Sequence, residues 1–108
     1  MNNDTRAMLL ESGINPKHKA FAYLGALAEM IEVFPLKRVG YPAVAEMFGT
    51  DERSVDKAIQ NAIAAAWTKR ANARLYREFG DIVDERKGKP TSARFIAKLC
   101  AKASENRR

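Results

Sequence analysis

The segment "AVAEMFGTDERSVDKAIQNAI", residues 43–63, holds two helical patterns that meet at a single glycine. An alanine-rich stretch runs to Gly49. Thr50 or Asp51 then stands where a helix N-cap is needed, with a side-chain oxygen to accept backbone N–H bonds. Beyond it, Val55, Ile59, Ala62 and Ile63 recur at three- and four-residue steps, which gives a second helix one apolar face. A DNA-reading helix-turn-helix is built from such parts. It needs a small residue midway along the first helix, here Ala45, and a turn residue that accepts positive φ, here Gly49. It needs apolar anchors behind the second helix, for which Val44, Phe48, Val55 and Ala58 are suitably placed. The second helix must also leave a polar face free for the major groove. Arg53, Lys57, Gln60 and Ala64 share such a face, flanked by Asp56 and Asn61. Lys donates to guanine, Gln or Asn pairs with adenine through two bonds, and a carboxylate accepts from cytosine. The same pattern also describes a plain helical hairpin with a solvated outer face, and the spacing alone leaves both readings open. Asp51, Glu52 and Asp56 suit a helix N-terminus through its dipole but repel nearby phosphates.

Outward from this segment the chain reads as all-α, one compact domain of about six helices. Residues 3–13 predict a short helix, capped by Asn3 or Asp4 and ended by Gly13 in a left-handed conformation. Residues 15–35 predict the longest early helix, with Asn15 as cap and Pro16 in its first turn, ended by Pro35. Its stripe is Phe21, Leu24, Leu27, Ala28, Ile31 and Phe34. Residues 41–48 and 52–70 form the helix-turn-helix candidate, about 41–69 overall, and Ala66 and Trp67 continue the second helix's apolar face. A brief helix is expected over 73–80, and a polar exposed loop over 81–90 in which "IVDER" is the one weak strand candidate. Thr91 or Ser92 caps a last helix that turns Phe95, Ile96, Leu99 and Cys100 inward, and the tail over about 104–108 is expected to fray.

Composition narrows the function. The 108 residues are 46% hydrophobic, enough for one core, and include only 6 Gly and 4 Pro. The net charge is +6, and the half after position 50, with fourteen basic and eight acidic residues, carries all of it. A basic field there suits an anionic partner such as nucleic acid. The single cysteine, Cys100, excludes an internal disulfide and reads as a buried thiol. The lone His18 has no Cys or His companions, so no zinc site is expected. The N-terminus lacks a signal-peptide core and no apolar run approaches a membrane span, which leaves a reducing, cytoplasmic setting as the expectation. No catalytic group stands out: there is no Cys/His pair and no Gly-rich phosphate loop after a strand. No cofactor is implied.

Three blocks carry a family resemblance: "LLESGINPKHKAFAYL" (9–24), "YPAVAEMFGTDERSVDKAIQNAIAAAW" (41–67) and "GKPTSARFIAKL" (88–99). Together they resemble the C-terminal DNA-binding domain of the stage zero sporulation protein A family of response regulators, over about residues 8–103. The resemblance implies a helical effector domain whose recognition helix spans about 52–69. It implies base reading at Asp56 and Lys57, with further base contacts one turn later at Gln60 and Asn61. Phosphate contacts are implied at Arg53 and Ser54, at Lys17 or His18 before the second helix, and at Lys89 before the last. A solvated helix end would serve equally for the basic cluster Lys17, His18 and Lys19, and a solvated loop for Arg86, Lys87 and Lys89.

Departures from the family pattern fall on the reading residues. Relatives carry Glu-Arg and then Arg-His where this chain has Asp56-Lys57 and Gln60-Asn61. Asp is a methylene shorter than Glu, and Lys lacks the bidentate fork that Arg offers guanine. Two cations become neutral amides. Family regulators carry a receiver domain ahead of this one, and the present sequence is expected to be either a stand-alone relative or an excised effector domain. Double-stranded DNA is the expected partner, bound by a chain that is monomeric in solution and dimeric on tandem sites. A different class of function is also open: a protein-interaction module that binds a full-length regulator or RNA polymerase without reading DNA.

Overall fold

Helices form where the apolar stripes predict them, and they pack around one interior helix. The computed structural model describes residues 3–30, 40–69, 77, 82–84, 86 and 89–106. Within these residues lie five helices and one small hairpin: α1 (Asn3–Glu11), α2 (Lys19–Glu29), α3 (Gly40–Met47), α4 (Glu52–Lys69), β1 (Val83–Asp84), β2 (Lys89–Pro90) and α5 (Ser92–Asn106). The fold is all-α, as the sequence predicts.

Helix α2 packs against α1, α3, α4 and α5. Its buried residues are Ala20, Phe21, Tyr23, Leu24, Gly25, Leu27 and Ala28, more than half of its circumference, which suits a helix packed by several neighbours. The expected stripe members Ile31 and Phe34 lie outside the described residues. Around α2 the other helices turn one face inward. Val44 and Ala45 of α3 are buried, as are Val55, Ile59, Ala62, Ile63, Ala66 and Trp67 of α4 and Phe95, Ile96, Leu99 and Cys100 of α5. Burying each large apolar side chain contributes about 1.5–3 kcal/mol. The Cys100 Sγ lies 3.7 Å from the Leu27 carbonyl oxygen, as a weak thiol donor inside the α2–α5 contact. Arg6 of α1 lays its guanidinium over the Phe21 ring, 5.5 Å from the centroid.

Gly40 opens α3 at a close approach to α2, where a Cβ would lie 2.7 Å from Leu27 Cδ2. The other end of α3 closes at Gly49, whose φ is +66°. Thr50 N–H donates to the Ala45 carbonyl at 2.9 Å and Gly49 N–H to that of Glu46 at 3.3 Å. This is the Schellman closure, which satisfies the last carbonyls and turns the chain sharply. α1 ends the same way at Gly13, as predicted. Phe48 differs from expectation. It does not anchor α4 from behind; it is 43% exposed and meets the Tyr23 ring edge-on, 5.2 Å between centroids. It ties the turn to α2.

Three other features differ from the sequence reading. Helix α2 begins at Lys19, with His18 as its N-cap, and not at Asn15. Asn15 builds a preceding turn: its Oδ1 accepts from Lys17 N–H at 2.9 Å and its carbonyl from His18 N–H at 3.0 Å. The polar segment after residue 81 carries a short antiparallel pair, Val83 opposite Pro90 and Asp84 opposite Lys89. Pro90 is fully buried and β2 packs on α4. α5 continues as helix to Asn106, past the point where fraying was expected. Of the brief helix expected over 73–80, Arg77 is helical and exposed and the other residues lie outside the described set.

Gly49→Ala tests the turn. A Cβ there meets no atom within 4 Å, so the substitution adds backbone strain alone. Urea unfolding should show a loss of about 1–2 kcal/mol for a left-handed alanine, and Gly49→Asn should lose less, because asparagine tolerates this conformation.

Candidate nucleic-acid interface

The turn at Gly49 delivers the chain directly into the cap of α4. Of the two candidate caps it is Asp51 that serves: its Oδ1 accepts from Ser54 N–H at 2.7 Å, and its carbonyl accepts from Val55 N–H at 3.2 Å. That bond from the Ser54 amide, with help from the Ser54 hydroxyl and Arg53, holds the Asp51 carboxyl below its ordinary value. Capping thus begins α4 within two residues of the turn. Thr50 takes the other task, closing α3 through its N–H.

Burial then fixes the rotation of α4. With Val55, Ile59, Ala62, Ile63, Ala66 and Trp67 inside, Arg53, Ser54, Lys57, Gln60 and Asn61 are exposed and Asp56 is half-buried. Ala64, expected on the same polar face, is only partly exposed. Trp67 is 5% exposed, so it is a core residue and not a stacking platform for bases. Tyr41 is likewise buried. The four residues expected to read bases and the two phosphate-side residues of this helix therefore lie together on α4, in its first ten positions.

The outer surface is not uniformly basic. At the foot of α4, Tyr41, Asp51, Glu52, Arg53 and Asp56 line an open depression of about 510 Å³. Three carboxylates against one guanidinium there oppose a phosphate. The Ser54 amide, which could otherwise meet an anion, already donates to Asp51. The Ser54 hydroxyl also bonds Asp51, which leaves the Arg53 guanidinium for a phosphate at this end. Among the described residues no group of three or more His, Cys, Asp or Glu side chains could hold a metal ion.

Sequence reasoning missed one contact on this face. Gln60 Nε2 donates to Asp56 Oδ2 at 3.0 Å. The signal was available, because Asp and Gln four apart on a helix are neighbours that bond.

The remaining phosphate-side candidates sit on two other elements. Lys17, His18 and Lys19 are exposed at the start of α2. His18 adopts extended backbone there, φ −79° and ψ 141°, and no side chain caps this helix. The first amides of α2 therefore lack the side-chain partner that α4 has. Lys89 lies on β2, partly exposed, beside α4. The helix that follows is capped by Thr91, whose Oγ1 accepts from Arg94 N–H at 3.3 Å.

The chain matches the family model described as sporulation initiation factor Spo0A C terminal over residues 5–103. A match over nearly the whole chain shows that the protein belongs to this family. The family is the DNA-binding effector domain of a sporulation regulator and not a class of enzymes, which supports a DNA-binding role here. No helix among the described residues is long and apolar enough to cross a membrane.

The cap supplies a pH test. A carboxyl whose folded value is lowered stabilises the fold above its unfolded value, and that contribution disappears as pH falls through the folded value. Asp51→Ala should therefore be less stable than the parent at pH 7, and the gap between their urea midpoints should narrow as pH drops below the ordinary aspartate range. A gap that stays constant with pH would show that the Asp51 charge plays no part.

Proposed function

We propose that this chain is a sequence-specific reader of double-stranded DNA that regulates transcription, with α4 as recognition helix in the major groove. The observation that carries the reading is the rotation of α4. Its apolar half is sealed against the core, and Lys57, Gln60 and Asn61 project from the first turns of an N-terminus aimed by the Gly49 turn. Family membership and the basic second half of the chain support the same reading.

In this reading Lys57 donates to a guanine edge, and Gln60 and Asn61 offer paired donor and acceptor groups to adenine. Asp56 lies on the same face, bonded to Gln60. Arg53, Ser54, Lys17, His18 and Lys89 contact phosphates and set the register of the protein on the duplex. The start of α2 suits this task, since its N-terminus has no side-chain cap and Lys17, His18 and Lys19 are exposed there, where the helix dipole is positive. The whole chain acts as one DNA-binding domain, a monomer in solution that pairs on tandem sites. The single buried thiol accords with a reducing, cytoplasmic setting.

A second reading has one observation in its favour. Met47 is 61% exposed and Phe48 43%, side by side at the turn, and a protein partner such as RNA polymerase would cover them. If protein binding were the whole function, co-purification would succeed where every DNA shift fails.

Titration of duplex DNA at several salt concentrations tests the main reading. Each phosphate neutralised contributes a slope of about −0.9 to log K against log salt. A slope near zero, or equal affinity for selected and random duplex, would overturn it. Lys57→Ala should reduce discrimination at one base pair by about 1–3 kcal/mol. Lys89→Ala should weaken all duplexes alike and lower the salt slope by about 1. Equal effects of both substitutions on selected and random DNA would sink the assignment of roles.

A further inference from the structure

We infer that Asp56 is a positioning residue for Gln60 and does not itself read a base: the Asp56–Gln60 bond locks the glutamine amide in the order that recognises adenine. This rests on the DNA reading proposed above and refines it.

The geometry is local. Asp56 and Gln60 lie one turn apart on the outer face of α4, Asp56 half-buried and Gln60 exposed, joined by a 3.0 Å bond from Nε2 to Oδ2. A carboxylate offers only acceptors, so the glutamine must turn its amino group, and not its oxygen, toward Asp56. The reversed amide would set two acceptors against each other. One N–H is thereby committed. The amide keeps its second N–H and its carbonyl oxygen, the groups that pair with adenine N7 and the adenine amino group.

An unrestrained glutamine amide presents its donor and acceptor in either order. A locked one presents a single order and meets the base without losing further side-chain freedom. Asp56, shorter and less exposed, has already given one of its oxygens to this bond. Its contribution to specificity is then felt at the base that Gln60 meets, not at a cytosine of its own.

Selection of bound duplexes from a random pool, run with the parent chain and variants, distinguishes the cases. The parent should enrich adenine at one position, and Gln60→Ala should lose that preference. A bidentate pair worth about 1–3 kcal/mol corresponds to about 5- to 150-fold enrichment. Asp56→Asn keeps the shape of the side chain, so the fold is preserved, but an asparagine amide can accept from or donate to Gln60. It should relax the adenine preference at the same position, and the double variant should show no further loss there. If Asp56→Asn changes preference at a different position, or at none, the inference is overturned while DNA reading stands. If the parent enriches no sequence at all, the DNA reading fails and the inference falls with it.

Discussion

The rest of the structure depends on the closure of α3 at Gly49. Two N–H groups, from Gly49 and Thr50, return to the carbonyls of Glu46 and Ala45, and the chain leaves the helix in a direction that only positive φ allows. One residue later Asp51 caps α4. Two helix ends are therefore satisfied within a few residues, with no slack between them in which α4 could choose another axis. Phe48, edge-on to Tyr23, ties the turn to the interior helix. Once that axis is set, the buried stripe from Val55 to Trp67 leaves α4 no other rotation, and the residues on its outer face follow as a consequence of core packing.

The parts that were legible in the sequence are those where period and punctuation agree. The stripe of α4, its start after Thr50 or Asp51 and the turn at Gly49 all rest on spacing over eighteen residues plus one glycine. The start of α2 was misread for a physical reason. Asn15-Pro16 carries the signature of a helix start, yet the Asn15 side chain and carbonyl serve a turn and the helix waits for Lys19. Asn is equally at home in both settings, and sequence alone does not say which amide its oxygen meets. Of the hairpin only β1 shows in the sequence, inside the weak strand candidate "IVDER"; β2 holds two residues, too few for any alternation to show. What seats it is the burial of Pro90 and the contact of β2 with α4, both tertiary.

The candidate interface divides in the same manner. Which α4 residues face outward could be read from spacing, because their inward neighbours are apolar. How those residues engage one another could not. The sequence suggests a base for Asp56 and another for Gln60, whereas the structure pairs them with each other. A polar face read one residue at a time hides such pairs, since every side chain on it has the right chemistry for an outside partner.

Electrostatics then separates the tasks of the helix ends. The dipole of α4 draws carboxylates to its N-terminus, and Asp51 spends the Ser54 amide on the cap. That end gains stability and loses attraction for phosphate. The start of α2 shows the reverse arrangement, with no side-chain cap and Lys17, His18 and Lys19 exposed around it. If both ends met DNA, a phosphate would find a helix start without a side-chain cap at α2 and a filled cap at α4. Affinity would then rest largely on α2 and on Lys89 beside α4, and selectivity on Lys57 and the amide side chains of α4. Relatives with two more cations on that helix would draw part of their affinity from the reading face. On the proposed reading, Gln60 and Asn61 in place of those cations would shift the salt-dependent share of binding toward Lys17, His18 and Lys89, with Arg53 as the phosphate-side cation left at the foot of α4.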